Sequence, residues 1–239
     1  MNRRLTSLLV LLVVSLVSLA QVSNPKREFR GAWIQCVNGQ FQGMSRDAMQ
    51  TELTRQLNAL QKCNINAVFF QVRAEADALY PSLLEPWSRF LSGRQGVPPM
   101  PMWDPLQWMI DECHNRGMEL HAWINPYRAK TAGTTDLAVS HPYVKNPNNF
   151  FRYGKLILFN PALTENRDYI CKVVADIVGR YDVDGIHIDD YFYPYPEAGV
   201  EIPDADDFSK YGAGFSSIKD WRRDNVSHLV HALHETIKG

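Results

Sequence analysis

Residues 184–193 read DGIHIDDYFY, a short apolar run that ends in two adjacent carboxylates followed by aromatic side chains. Asp184-Gly185 makes a tight entry. Ile186 and Ile188 fall on one face by the two-residue period of a strand, and His187 and Asp189 fall on the other. Asp190 sits where strand gives way to loop. For a lone aspartate the ordinary reading is a loop cap or a solvated carboxylate. Here the same arrangement recurs upstream.

RGAWIQ (30–35), AVFFQVR (67–73) and ELHAWIN (119–125) also read as strands with polar side chains toward their C-terminal ends. A helical period follows each. Ser45 is the expected N-cap of a helix with Met49, Leu53, Leu57 and Leu60 on one face. Asp104-Pro105 starts the next helix and Gly117 closes it. A third begins near Thr164 and carries Ile170, Val173, Val174, Ile177 and Val178. The last starts at Ser217-Ile218-Lys219-Asp220, a capping-box pattern, and carries Trp221, Leu229 and Leu233. Strands alternating with helices imply βαβ units and a parallel sheet. The strand-to-helix loops are long, roughly 74–103, 126–163 and 191–216, and the helix-to-strand turns are short. Elaboration therefore falls on the face that carries the C-terminal strand ends, the layout of a (β/α) barrel enzyme.

Parity along the strands supports a barrel. Val68, Phe70, Val72, Leu120, Ala122 and Ile124 fall on an aliphatic face suited to packing under helices. The opposite face is aromatic or polar. On it Gln35, Gln71, Arg73, Asn125 and Asp189 converge at one mouth if the sheet closes. A doubly wound sheet would need apolar residues on both faces. The expected fold class is therefore α/β, a (β/α)8 TIM-type barrel. Only about the first four of its eight βα units are present. The run KLILF (155–159) reads as part of a loop hairpin rather than a further barrel strand. The count leaves two expectations, the first part of a longer protein or a half-barrel that pairs with a second copy, and the first is preferred.

The chain of 239 residues is 45% hydrophobic and 21% charged with net charge −1, an ordinary globular balance. No basic stripe suggests a nucleic-acid partner. The N-terminus reads as a signal peptide, residues 1–20: Arg3 and Arg4, an uncharged apolar run from Leu5 to Leu19, and small residues before a cleavage point after Ala20. The mature protein is then expected to be exported, without a membrane span, and a linker (21–29) leads to the barrel part (30–239). The four cysteines match no zinc pattern and are expected to be buried free thiols, one bridge remaining an alternative.

RGAW (30–33), FFQVR (69–73), DALYPS (77–82), WINPYR (123–128) and DGIHIDDYFYP (184–194) together resemble the glycosyl hydrolase-like 10 family of bacterial secreted or envelope proteins. The resemblance runs from about Arg30 to the end of the chain. It implies a TIM-type barrel and glycoside hydrolysis, with cell-wall glycan as a substrate. The family's domain continues through later strands that this sequence does not contain. By strand position, the resemblance gives Asp189 the role of nucleophile or essential carboxylate.

Glycoside hydrolysis needs two carboxyl groups, about 5–5.5 Å apart in retaining enzymes and about 6.5–9.5 Å apart in inverting ones. Asp189 and Asp190 are sequence neighbours whose side chains diverge, so they do not form such a pair. Asp189 is expected to point inward, with Asp190 beside it. Glu75 is the local candidate for the acid, and a solvated loop glutamate is its ordinary reading. Arg73 suits holding a carboxylate ionised, or pairing structurally with Asp77 or Glu75. Gln35, Gln71 and Asn125 suit sugar hydroxyls, and His187 suits a hydrogen bond to the Asp189 carboxylate or a sugar hydroxyl, or else a satisfied core position. Tyr127, Tyr191 and Tyr193, with Tyr80, Trp87 and Trp103, are candidate stacking platforms. No cofactor or metal is expected, since neither a strand-borne His-x-His nor HExxH occurs. Two other readings stay open: a glycan-binding protein without turnover, and a metal-dependent hydrolase or deacetylase.

Overall fold

A computed structural model describes residues 28–239. The expected signal peptide (1–20) and most of the linker lie outside the described residues. The frame is a four-stranded parallel sheet in the order β1-β2-β3-β7. Its strands are β1 (Gly31–Ile34), β2 (Ala67–Arg73), β3 (Glu119–Ile124) and β7 (Gly185–Ile188). These are the four strands expected from the sequence, each paired in parallel with its neighbour.

The connecting helices are α1 (Arg46–Lys62), α3 (Pro105–His114) and α5 (Thr164–Arg180), with α7 (Ile218–Lys238) after the last strand. Their starts follow local chemistry. Ser45 accepts the Ala48 N–H, and Asp104 accepts the N–H groups of Leu106 and Gln107 with Pro105 at the first helical position. Asp220 of the expected capping box instead pairs with Arg223.

The helices cover the aliphatic face. Val68, Phe70, Leu120, Ala122 and Ile124 pack with Met49, Leu53 and Leu57 of α1, Leu106 and Met109 of α3, and Ile170, Val173 and Ile177 of α5. Each such fully buried Val, Leu, Ile, Phe or Met side chain contributes about 1.5–3 kcal/mol of transfer free energy. The other face carries Trp33, Phe69, His121, Trp123 and His187. Trp33 is 60% exposed on it.

The long loops hold structure of their own. Arg89–Ser92 forms a short helix, α2, and Pro142–Lys145 another, α4. KLILF does form a hairpin arm. Strand β6 (Leu156–Phe159) pairs antiparallel with β5 (Phe150–Tyr153) and with β4 (Arg128–Lys130), giving a three-stranded sheet. The loop after β7 carries α6 (Ala205–Tyr211). All four thiols are free, but Cys63 is exposed and Cys171 half-buried, so only Cys36 and Cys113 meet the expectation of burial. Cys63 caps the end of α1, where its side chain has no layer above it. Among the described residues no helix is long and apolar enough to cross a membrane.

Candidate active site

The C-terminal ends of β1, β2, β3 and β7 are joined by a chain of side-chain hydrogen bonds. The Cys36 N–H, just past β1, donates to Gln71 Oε1 at 3.0 Å. Gln71 Nε2 donates to Asn125 Oδ1 at 2.7 Å. Asn125 Nδ2 in turn donates to Asp189 Oδ2 at 2.7 Å. The second oxygen, Asp189 Oδ1, accepts the Tyr191 N–H at 3.2 Å. Gln71 and Asn125 are buried and Asp189 is half-buried, so the relay runs from the interior to the surface of the mouth. Hydrogen bonds to an ionised group contribute about 1.5–3 kcal/mol, and these two hold one direction of the carboxylate.

The same parity that placed Asp189 places His187 one layer deeper. Its Nε2 accepts from Trp33 Nε1 at 3.1 Å, so the imidazole is neutral with its proton on Nδ1. Burial pushes its pKa below the usual histidine range, and His121 adds to that, while Asp189 opposes. The ring lies 4.5 Å from that of Phe69 and 5.9 Å from that of Trp33. His187 therefore sits in an aromatic nest rather than on the Asp189 carboxylate. Gln35 is half-buried just past β1.

Several expected site residues lie elsewhere. Arg73 is 0% exposed and forms a two-pronged ion pair with Glu85, both contacts at 2.7 Å. The cause is a slip in register: Gln71 faces Trp123, but Arg73 faces Ile124, with Val72 as the extra residue. Strand parity thus changes after Gln71, and Arg73 turns from the mouth to the helix-covered face. There its Nη1 donates to the carbonyls of Asn125 (2.6 Å) and Pro126 (3.0 Å). Burial alone would lower its pKa, but Glu85 outweighs burial and holds it up.

Glu75 is buried, not solvated. Thr131 donates to it through its N–H and its hydroxyl, Thr134 through its hydroxyl, and Arg89 lies 3.3 Å away. Its carboxylate is thus committed to loop residues and is not hydrogen-bonded to the Asp189 relay. Asp77, beside it, accepts the Glu75 N–H and a bond from Gln95, and burial followed by the Glu75 charge raises its pKa to about 6.

Tyr127 is buried in the core, edge-on to Phe192, and offers no face at the mouth. Tyr193 turns toward α7, where its hydroxyl accepts from Asn225 Nδ2 at 3.1 Å under the guanidinium of Arg222. Tyr80 is buried as well, and Trp87 and Trp103 are half-buried against the core. Tyr191 is half-buried next to Asp189 and lies edge-on to the exposed Tyr195. Tyr195 donates its hydroxyl to Asp190, which is exposed. Arg128 was not singled out from the sequence. Its Nη2 donates to Asn125 Oδ1 at 2.6 Å and its Nε to the Ala74 carbonyl at 2.8 Å. Among the described residues, no three His, Cys, Asp or Glu side chains converge as metal ligands.

Residues 28–239 match the model of the glycosyl hydrolase-like 10 family. The chain belongs to that family. It is 42% identical over 244 aligned positions to the protein named glycosyl hydrolase YngK of Bacillus subtilis (strain 168), covering 99% of this chain and 47% of that one. It is 38% identical over 199 positions to glycosyl hydrolase DigH of Escherichia coli (strain K12), covering 79% of this chain and 45% of that one. The chain thus spans about half the length of the curated relatives it matches. Among solved structures it resembles α-L-fucosidase isoenzyme 2 from Paenibacillus thiaminolyticus, with a TM-score of 0.56 and 14% identity over 88% of this chain and 31% of that one. It also resembles the GH20 exo-β-N-acetylglucosaminidase of Vibrio harveyi, with a TM-score of 0.52 and 15% identity over 90% of this chain and 34% of that one. At such identity the likeness is one of fold, a glycosidase fold of the TIM-barrel type.

Proposed function

We propose that the chain is the N-terminal part of an exported glycoside hydrolase. It cleaves O-glycosyl bonds of an oligo- or polysaccharide, with bacterial cell-wall glycan as the substrate class and Asp189 as nucleophile or base. The four βα units form the first half of an eight-stranded barrel. The observation that carries this reading is the presentation of Asp189 at the end of the fourth parallel strand. One oxygen accepts from Asn125 and the other from the Tyr191 N–H, so the carboxylate has a fixed direction at the mouth. Fixed direction is what an attacking or proton-accepting carboxylate needs. Tyr191 and Tyr195 supply aromatic surface beside it and Asp190 is exposed; Gln35, half-buried just past β1, is the residue we assign to a sugar hydroxyl. Carboxyl groups alone carry glycoside hydrolysis, so the reading requires no metal or cofactor.

The test is Asp189→Asn, which keeps an oxygen to accept from Asn125. Reducing-end release from glycan by the whole hydrolase should be abolished while the circular dichroism spectrum stays at wild type. Retained turnover would remove Asp189 from the mechanism. A second reading, glycan binding without turnover, is favoured by the burial of Glu75, which leaves Asp189 without a local acid partner. Glycan binding by the whole protein with no release of reducing ends would support it.

A further inference from the structure

We propose that Arg128 is a positioning residue for the Asp189 carboxylate, acting through the Asn125 amide. The proposal rests on the reading of Asp189 given above and deepens it. The Asn125 side chain faces donors on one side and a carboxylate on the other. Its Oδ1 accepts from both Gln71 Nε2 (2.7 Å) and Arg128 Nη2 (2.6 Å), and its Nδ2 donates to Asp189 Oδ2 (2.7 Å). A flipped amide would set its NH2 group against two donors and its oxygen against Asp189. Gln71 is held with its Nε2 toward Asn125 by the Cys36 N–H, which donates to its Oε1. Arg128 adds a second, charged donor at the same Asn125 oxygen, and a guanidinium only donates. It therefore strengthens the hold on this direction of the amide.

The same guanidinium braces the other arm of Asp189. It lies 5.6 Å over the Tyr191 ring, and the Tyr191 N–H donates to Asp189 Oδ1. Its Nε holds the Ala74 carbonyl at the exit of β2. One side chain thus ties the ends of β2, β3 and β7 together. Among the described residues Arg128 has no carboxylate within salt-bridge distance, although it is half-buried. Two of its donors go to neutral acceptors, and one of these, Asn125, hydrogen-bonds Asp189. Arginine suits this because its planar fork holds two acceptors in a fixed geometry, where a lysine ammonium is a rotatable point charge.

The experiment follows the side-chain amide protons of Asn125 by nuclear magnetic resonance in the whole chain, assigned by their loss in Asn125→Asp. In the wild type the proton bonded to Asp189 should lie downfield and exchange slowly. In Arg128→Met, which keeps the stem and removes the charge, it should move toward the position of a free amide. In Arg128→Lys it should recover in part. An unchanged signal in Arg128→Met overturns the proposal. Should that variant fail to fold, Arg128→Lys decides, because a fully wild-type signal there also overturns it. In turnover of a soluble glycan, Arg128→Met should lower kcat by about a hundredfold with KM little changed. If Asp189→Asn is inactive and Arg128→Met retains wild-type kcat, the positioning role fails and the proposed function stands. If Asp189→Asn retains turnover, or the whole hydrolase of which this chain is the N-terminal part turns over no glycan, the function reading fails while the amide signal still decides the role of Arg128.

Discussion

Arg73 and Glu85 carry opposite charges with both side chains fully buried, and each needs the other. Replacing Arg73 alone leaves a buried uncompensated carboxylate and two unpaired carbonyls, at a cost of about 3–5 kcal/mol. Arg73→Met should therefore show that loss in urea unfolding, and Arg73→Met/Glu85→Leu should recover a large part of it. Additive losses would mean that the two groups do not interact. The candidate site is legible in the sequence where side chains obey strand parity: Gln71, Asn125 and Asp189 do meet. It is illegible where a local irregularity intervenes. No glycine or proline marks the extra residue at Val72, so nothing in the letters says that Arg73 changes face. Arg128 escapes for a different reason. It returns over Asn125 only because Pro126 and Tyr127 turn the chain within three residues, and that return has no period to detect.

At the scale of elements, periodicity is a good guide because the helices have one long apolar stripe and the strands one aliphatic face. All four parallel strands and their main helices are readable for that reason. The short pieces are not: α2, α4 and α6 bury too little to leave a pattern, and only the hairpin arm KLILF is apolar enough to stand out. The seam between β3 and β7 depends on one glycine. A Cβ on Gly185 would come within 2.4 Å of the His121 ring, which lies across the seam and pairs with Glu119. Gly185→Ala should cost about 1–3 kcal/mol in thermal or urea unfolding. Adding His121→Ala should relieve most of that cost, and no relief would place the strain elsewhere.

Across the whole molecule, acidity should stabilise through Asp77. Burial, and then the Glu75 charge, raise its pKa from 3.8 to about 6, so the folded state disfavours its ionised form. The corresponding stability is fully present below about pH 4 and is lost as pH rises through about 6, on the order of 3 kcal/mol in all. Urea midpoints measured from pH 4 to 7 should fall with pH by that contribution in the wild type, and Asp77→Asn should lack it. Equal slopes in the two proteins would show that Asp77 does not titrate in this window. The open sheet has a consequence of another kind. Among the described residues β1 pairs only with β2, and β7 only with β3, so each presents a free row of backbone donors and acceptors. The sequences GAWI and GIHI hold none of the lysines or prolines that keep such borders apart. Produced by itself, this stretch of chain should self-associate as its concentration rises, which light scattering would record, and charged substitutions in either border strand should keep it dispersed.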